Sequence, residues 1–312
     1  MRILGCSDGS EQATRALALA GRLAAAHHAE VTLLGITENE SEEPAVHAAL
    51  RRALKEFQRQ GIRAELVTKA GEPVAEIARK AQESPYDLVV IGAQRRGQGD
   101  VSIPPAKAYA IIEAVPGPVL VAVGEERGLR RILVGTRGGP RIEPALRFTG
   151  QIAQGGSATV TLLTVLPSLG GIHAGLTRRE PDAEALLRSN SALARDLQAE
   201  KRRIEGFGVR TAVQVRHGLV VEEILKELKQ GGHDLLVLGA RPTPPSWRRY
   251  LLDDVTREIV YHADRPVLVV RGRAERPAWR DKLRRSISGL FAVFPRRRPP
   301  PAPGRQVPLS PA

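Results

Sequence analysis

Tyr86-Asp-Leu-Val-Val-Ile-Gly-Ala93 recurs as His233-Asp-Leu-Leu-Val-Leu-Gly-Ala240. In each copy four consecutive apolar residues stand between an aspartate and a glycine, the pattern of a short strand covered on both faces. Outward from this pair the correspondence continues. Pro118-Val-Leu-Val121 returns as Pro266-Val-Leu-Val269, Gly71 with Glu76-Ile77 as Gly218 with Glu223-Ile224, and Arg2-Ile-Leu4 as Arg131-Ile-Leu133. The offset is 129 at Ile3, 147 at Asp87 and 148 at Pro118. A repeat of this length that preserves order is a duplicated domain, since solenoid units recur every ~20–50 residues.

Within the first copy, apolar or β-branched strands at Arg2–Cys6, Glu30–Thr37, Arg63–Thr68, Asp87–Ile91 and Pro118–Val123 alternate with helical patterns. The helices are expected at Ser10–Ala26, Pro44–Gln60, Glu72–Gln82 and Pro105–Ala114, with Asp8 and Ser10 as candidate N-caps. Such alternation implies right-handed crossovers and a mainly parallel sheet. The second copy repeats the order with 18 more residues, the rise in offset from 129 to 147. They fall between its second strand, Ala158–Val165, and its third, Val209–Val215. There a longer loop, Pro167–Pro181, and one longer helix, Asp182–Gly206, are expected. The seam Gly124-Glu-Glu-Arg-Gly128 is too short for a flexible tether, so the copies are expected to pack together.

The 312 residues suffice for two cores of roughly 125–145 residues each. A lone cysteine, Cys6, excludes internal disulfides and suits a reducing cytosol; in its apolar run it reads as a buried filler. Met1-Arg-Ile-Leu runs directly into a strand pattern, so no signal peptide is expected, and no apolar run approaches the ~18 residues of a membrane span. The net charge of +13 sits mostly at the end: Arg271–Ala312 holds 11 Arg or Lys against Glu275 and Asp281. The body is therefore not strongly basic, and without aromatic residues interleaved among basic ones it carries no sign of specific nucleic-acid binding.

Taken together, Leu4-Gly-Cys-Ser-Asp-Gly-Ser10, Asp87-Leu-Val-Val-Ile-Gly92 and Pro118-Val-Leu-Val121 resemble the universal stress protein family, and the resemblance covers residues 1–272 as two tandem copies. It implies an α/β fold: two tandem Rossmann-like (adenine-nucleotide-hydrolase-like) parallel-sheet domains, at 1–124 and 129–273, forming a pseudo-dimer through their last strands. A basic tail, 274–312, would follow. It also implies a cytoplasmic stress-response or regulatory protein that acts by binding and not by turnover.

The ATP-binding branch of that family carries G-x2-G-x9-G-[ST] after the fourth strand, glycines that let backbone approach phosphate and a last pair that opens a helix. Here Gly92 matches the first glycine, while Arg95, Pro105 and Ala106 occupy the other places. Pro104-Pro105 remove N–H donors where phosphate would need them. In the second copy Gly239 is kept, Pro242 replaces the next glycine, and Asp253-Asp254 replace Gly-[ST], where their charge would repel phosphate. Arg137 stands where the first copy has Asp8.

The expectation is thus a protein with no resident cofactor, working through protein partners or self-association at its last-strand edges. One alternative is an ATP sensor using the first domain only, with Asp8, Ile36, Gly92 and Arg95 holding the nucleotide, as the resemblance implies. Another is a peripheral membrane or transporter-regulating module anchored by the tail, drawn to an anionic membrane surface through 277–298. There Trp279, Leu283, Ile287, Leu290, Phe291 and Phe294 would share one helical face beside arginines. The plainer reading of that face is that it packs on the protein itself. No metal pattern joins the seven histidines, and no G-x-S-x-G elbow makes a nucleophile of Ser10. The acid pairs Glu42-Glu43 and Glu222-Glu223 read as solvated helix faces.

Overall fold

In the computed structural model the described residues are 1–94, 103–124, 128–154, 158–168, 182–240 and 254–271. They belong to one compact unit, Met1–Arg273. Arg95, the 277–298 segment and the rest of the tail lie outside them.

The first half runs β1 (Arg2–Ser7), α1 (Glu11–His27), β2 (Glu30–Thr37), α2 (Glu43–Arg59) and β3 (Ala64–Ala70). It continues through α3 (Pro73–Glu83), β4 (Leu88–Gly92), α4 (Pro105–Ala114) and β5 (Val119–Ala122). The second half repeats the series: β6 (Arg131–Gly135), α5 (Glu143–Gln154), β7 (Thr159–Leu166), α6 (Ala183–Arg188) and α7 (Ala192–Glu205). Then follow β8 (Arg210–His217), α8 (Val220–Gln230), β9 (Leu235–Ala240), α9 (Asp254–His262) and β10 (Val267–Arg271). No helix among the described residues is long and apolar enough to cross a membrane.

The single long helix expected at 182–206 is two helices, and the reason is local. Asp182 caps α6 by accepting from the Ala185 N–H, and Ser191 caps α7 by accepting from the Ala194 N–H. Between them Ser189 turns its hydroxyl back to the Leu186 carbonyl at 2.7 Å. Short polar side chains that satisfy backbone groups locally compete with a continuous helix, and here they win.

One ten-stranded sheet, ordered β3-β2-β1-β4-β5-β10-β9-β6-β7-β8, carries both halves. Among the described residues each half is parallel, and the one antiparallel pairing joins β5 to β10, with Leu268 opposite Leu120. Alternate strand residues feed opposite faces. Val90 joins Leu17, Leu50 and Phe57 on one face, and Val89 and Ile91 join Ile77, Ile111 and Ile112 on the other. The cluster on each face draws on both halves, with Leu146, Ile204 and Leu268 in the first and Ile224, Ile259 and Val267 in the second.

This junction corrects the expectation of self-association through last-strand edges. Both last strands pair with each other inside the chain, so neither edge is left for a second copy. The outer strands are β3 and β8. Cys6 is buried in β1, and burial pushes its thiol up, away from the reactive thiolate.

Candidate functional site

In the first half α1 follows β1 and α4 follows β4, and β1 and β4 are neighbours. Their carboxyl ends therefore flank the crevice where a doubly wound sheet takes its ligands. The loop after β1 is fastened to itself. Ser7 Oγ accepts from the Gly9 N–H at 3.2 Å, Asp8 Oδ1 from the Ser10 N–H at 3.0 Å, and Ser10 Oγ from the Ala13 N–H at 3.1 Å. Asp8 thus holds the turn that delivers the Ser10 cap to α1.

Gly92 ends β4 on the other side of the crevice. A Cβ there would stand 2.5 Å from the carbonyl of Gln12, so the glycine lets the first turn of α1 approach the strand end. Ile36 is buried at the end of β2, in the cluster that holds Ile77 and Ile91. Of the four residues expected around a nucleotide, Asp8 and Gly92 flank one crevice, Ile36 lies in the core, and Arg95 is outside the described residues.

At the head of α4, Pro104 stands in the N-cap place and Pro105 in the first turn, with no side-chain cap. The free N–H groups that make a helix start an anion site are reduced by both prolines. Lys107, in the same turn, pairs with Glu38 just beyond β2, Nζ to the carboxylate oxygens at 2.7 and 2.9 Å. Since β1 lies between β2 and β4, this pair spans the end of β1. An exposed pair of this kind is worth about 0–1 kcal/mol, so it occupies the mouth of the crevice without sealing it.

The corresponding end of β6 is built differently. Thr136 is buried, accepts from the Gly138 N–H at 3.0 Å and donates to Glu200 Oε1 at 3.1 Å. Glu200, on α7, is 5% exposed, and its Oε2 is buried without a hydrogen-bond partner. Burial raises its pKa to about 7, against the Thr136 hydrogen bond and with the help of the nearby Asp196 carboxylate. Gly239 packs on Ile142, whose Cδ1 a Cβ would meet at 2.8 Å. Residues 241–253, with Pro242 and Asp253, are outside the described residues, and α9 begins at Asp254.

The raised Glu200 pKa fixes the sign of a pH effect. Between the ordinary carboxylate range and about pH 7 the folded chain holds a proton that the unfolded chain has lost, so stability falls as pH rises through this window. Glu200→Gln, which keeps an acceptor for Thr136, is expected to flatten that fall and to be more stable than the parent at pH 8. Urea midpoints at pH 5 and pH 8 measure it; equal slopes in both proteins would count against it.

A second polar cluster escaped the sequence. Glu227 is buried on α8, with Oε2 accepting from Gln214 Nε2 at 2.8 Å and Arg216 Nε at 2.8 Å, and Oε1 within 3.1 Å of His233 Nε2. Glu223 is not simply solvated: it is half-turned inward and bonded by Arg216 at 3.3 Å. The signal for Glu227 was its place between Ile224 and Leu228 on the apolar stripe of α8. Three other histidines serve their own helices. His28 caps α1 in the left-handed region, His47 pairs with Glu43, and His262 with Glu258. No group of three metal-ligating side chains occurs among the described residues.

The universal stress protein family model matches residues 1–122 and again 128–271. No curated protein sequence matches the chain. A solved universal stress protein from Archaeoglobus fulgidus is similar with a TM-score of 0.61 and 16% identity, over 86% of this chain and 98% of that one. A functionally unknown protein from Pseudomonas aeruginosa gives 0.57 and 14%, over 94% and 97%. The cytoplasmic domain of a prokaryotic cation chloride cotransporter gives 0.54 and 15%, over 89% and 97%. At these identities the likeness is one of fold.

Proposed function

Since this chain belongs to the universal stress protein family, both halves of it, we propose that it is a non-enzymatic regulatory protein of the stress response that acts through binding partners without a resident nucleotide. The observation that carries this reading is the head of α4, where Pro104 and Pro105 occupy the positions from which backbone N–H groups would receive phosphate. Glu38 adds a carboxylate across the same mouth, and Gly92 answers to the packing of α1. At the second crevice Arg137 replaces the acid of the first. A fused pair of domains on one sheet suits a binding platform, because the relative placement of its surfaces is fixed by the β5–β10 pairing.

Calorimetric titration of ATP, ADP and AMP into the full chain tests this. No saturable heat is expected up to millimolar nucleotide. Binding at one site that disappears in Asp8→Ala would instead make the first domain an ATP sensor.

A further inference from the structure

In the second half a cleft of about 450 Å³ opens between α5 and α7, beside the turn after β6. Its size falls in the range of small-ligand sites, roughly 300–1,000 Å³. Gly139, Leu146, Asp196, Ala199 and Glu200 are among its lining residues. We propose that this cleft binds a small organic cation, an alkyl ammonium, whose charged end is held by Glu200 and Asp196 and whose carbon chain lies on Leu146 and Ala199.

The chemistry follows from what the cleft lacks. Glu200 has one oxygen satisfied by Thr136 and the other buried with no donor, and a buried polar atom without a partner is destabilising. Asp196 lies one turn earlier on the same helix, so a second carboxylate aggravates the first. Arg203 also lines the cleft but is ion-paired with Glu143, another lining residue, and makes no bond to Glu200 Oε2. Two carboxylates, one of them short of a donor, call for a positive group with several N–H donors. An ammonium carries three, and the apolar lining suits an alkyl chain. A bare metal ion is a poorer fit, since no group of three metal-ligating side chains occurs among the described residues.

The duplication supplies an internal comparison. The helix-ending turns Gln58-Arg-Gln-Gly61 and Glu205-Gly-Phe-Gly208 differ in sequence, but their bonds align the halves: Gly61 N donates to Gln58 O as Gly208 N donates to Glu205 O. At that offset of 147 Glu200 matches Ala53 and Asp196 matches Ala49, while the buried Leu197 matches the buried Leu50. The packing positions are kept and two carboxylates have been placed where the first half has methyl groups. Gly138 and Gly139, both at positive φ, make room for them: a Cβ on Gly138 would stand 3.2 Å from Asp196 Oδ2.

The test is calorimetry on the full chain with 1,4-diaminobutane and methylammonium, beside 1-butanol and potassium chloride. A saturable one-to-one heat is expected with the amines and none with the alcohol or potassium. Glu200→Gln and Asp196→Asn are each expected to weaken binding at least about tenfold, equivalent to ~1.4 kcal/mol. Two variants guard against one that fails to fold, and circular dichroism identifies such a case. The proposal is overturned by the absence of amine heat up to about 10 mM, where a dissociation constant would already be weaker than ~3 kcal/mol of binding. Equal heats with potassium would overturn it too, as would undiminished binding in both folded variants. None of these outcomes bears on nucleotide binding at the first crevice.

Discussion

Leu268→Ala is expected to lower the unfolding free energy by about 3 kcal/mol, within the ~2–5 kcal/mol range for deleting a buried leucine side chain, and to weaken both halves of the chain together. Leu268 and Leu120 face each other in the antiparallel register of β10 and β5, and each is 1% exposed. Their flanking pairs, Val267 with Val121 and Val269 with Val119, are also buried and face the other side of the sheet. A void at this point removes contacts from the cluster that contains α1 and α2 residues as well as α5 and α7 residues. Urea denaturation followed by far-ultraviolet circular dichroism, with hydrogen exchange reporting on β1 and β6 separately, measures the effect. One coincident transition at lower urea is expected. Loss of protection in the second half alone would show that the sheet is continuous in geometry but not in energy.

Glu227→Ala is expected to cost about 3–5 kcal/mol, the range for removing one partner of a buried ion pair. The loss exceeds the worth of the contact, because Arg216, Gln214 and His233 are all left facing a buried gap. The matched position in the first half is Lys80, whose partner is the exposed Glu83 at 3.3 Å. Lys80→Ala is therefore expected to change stability by no more than about 1 kcal/mol. Burial works against the Glu227 charge, but the hydrogen bonds from Arg216 and then His233 outweigh it and hold the carboxyl below its usual range. The contribution is accordingly present above the ordinary carboxylate range and is lost as pH falls through the lower, folded value. Parent and variant are thus expected to converge in acid. A variant as stable as the parent at pH 7 would mean that the cluster relaxes around the missing carboxylate.

Local chemistry determined a good deal. Strand runs such as Leu88–Ile91, the Ser10 cap and the recurrence of the whole order carried the element series, because each rests on neighbours within a few residues. The family resemblance added the last-strand junction, which periodicity alone does not contain. Ser189-Asn-Ser191 is a local signal too: it breaks the helix expected at 182–206, since the apolar spacing continues across it while the caps do not allow it.

Only the tertiary structure decided what the site residues do. A glycine at position 92 suits a phosphate loop or a close helix equally well, and the difference is made by Gln12, eighty residues earlier in the chain. Glu200 reads as one more polar residue of a surface helix until Thr136, 64 residues away, meets it in the interior. Glu227 likewise becomes a buried acceptor only when β8 and the start of β9 bring Arg216 and His233 to it. Burial and charge pairing between distant residues depend on how strands are ordered across the sheet, and a sequence read by spacing records neighbours along the chain, not across it.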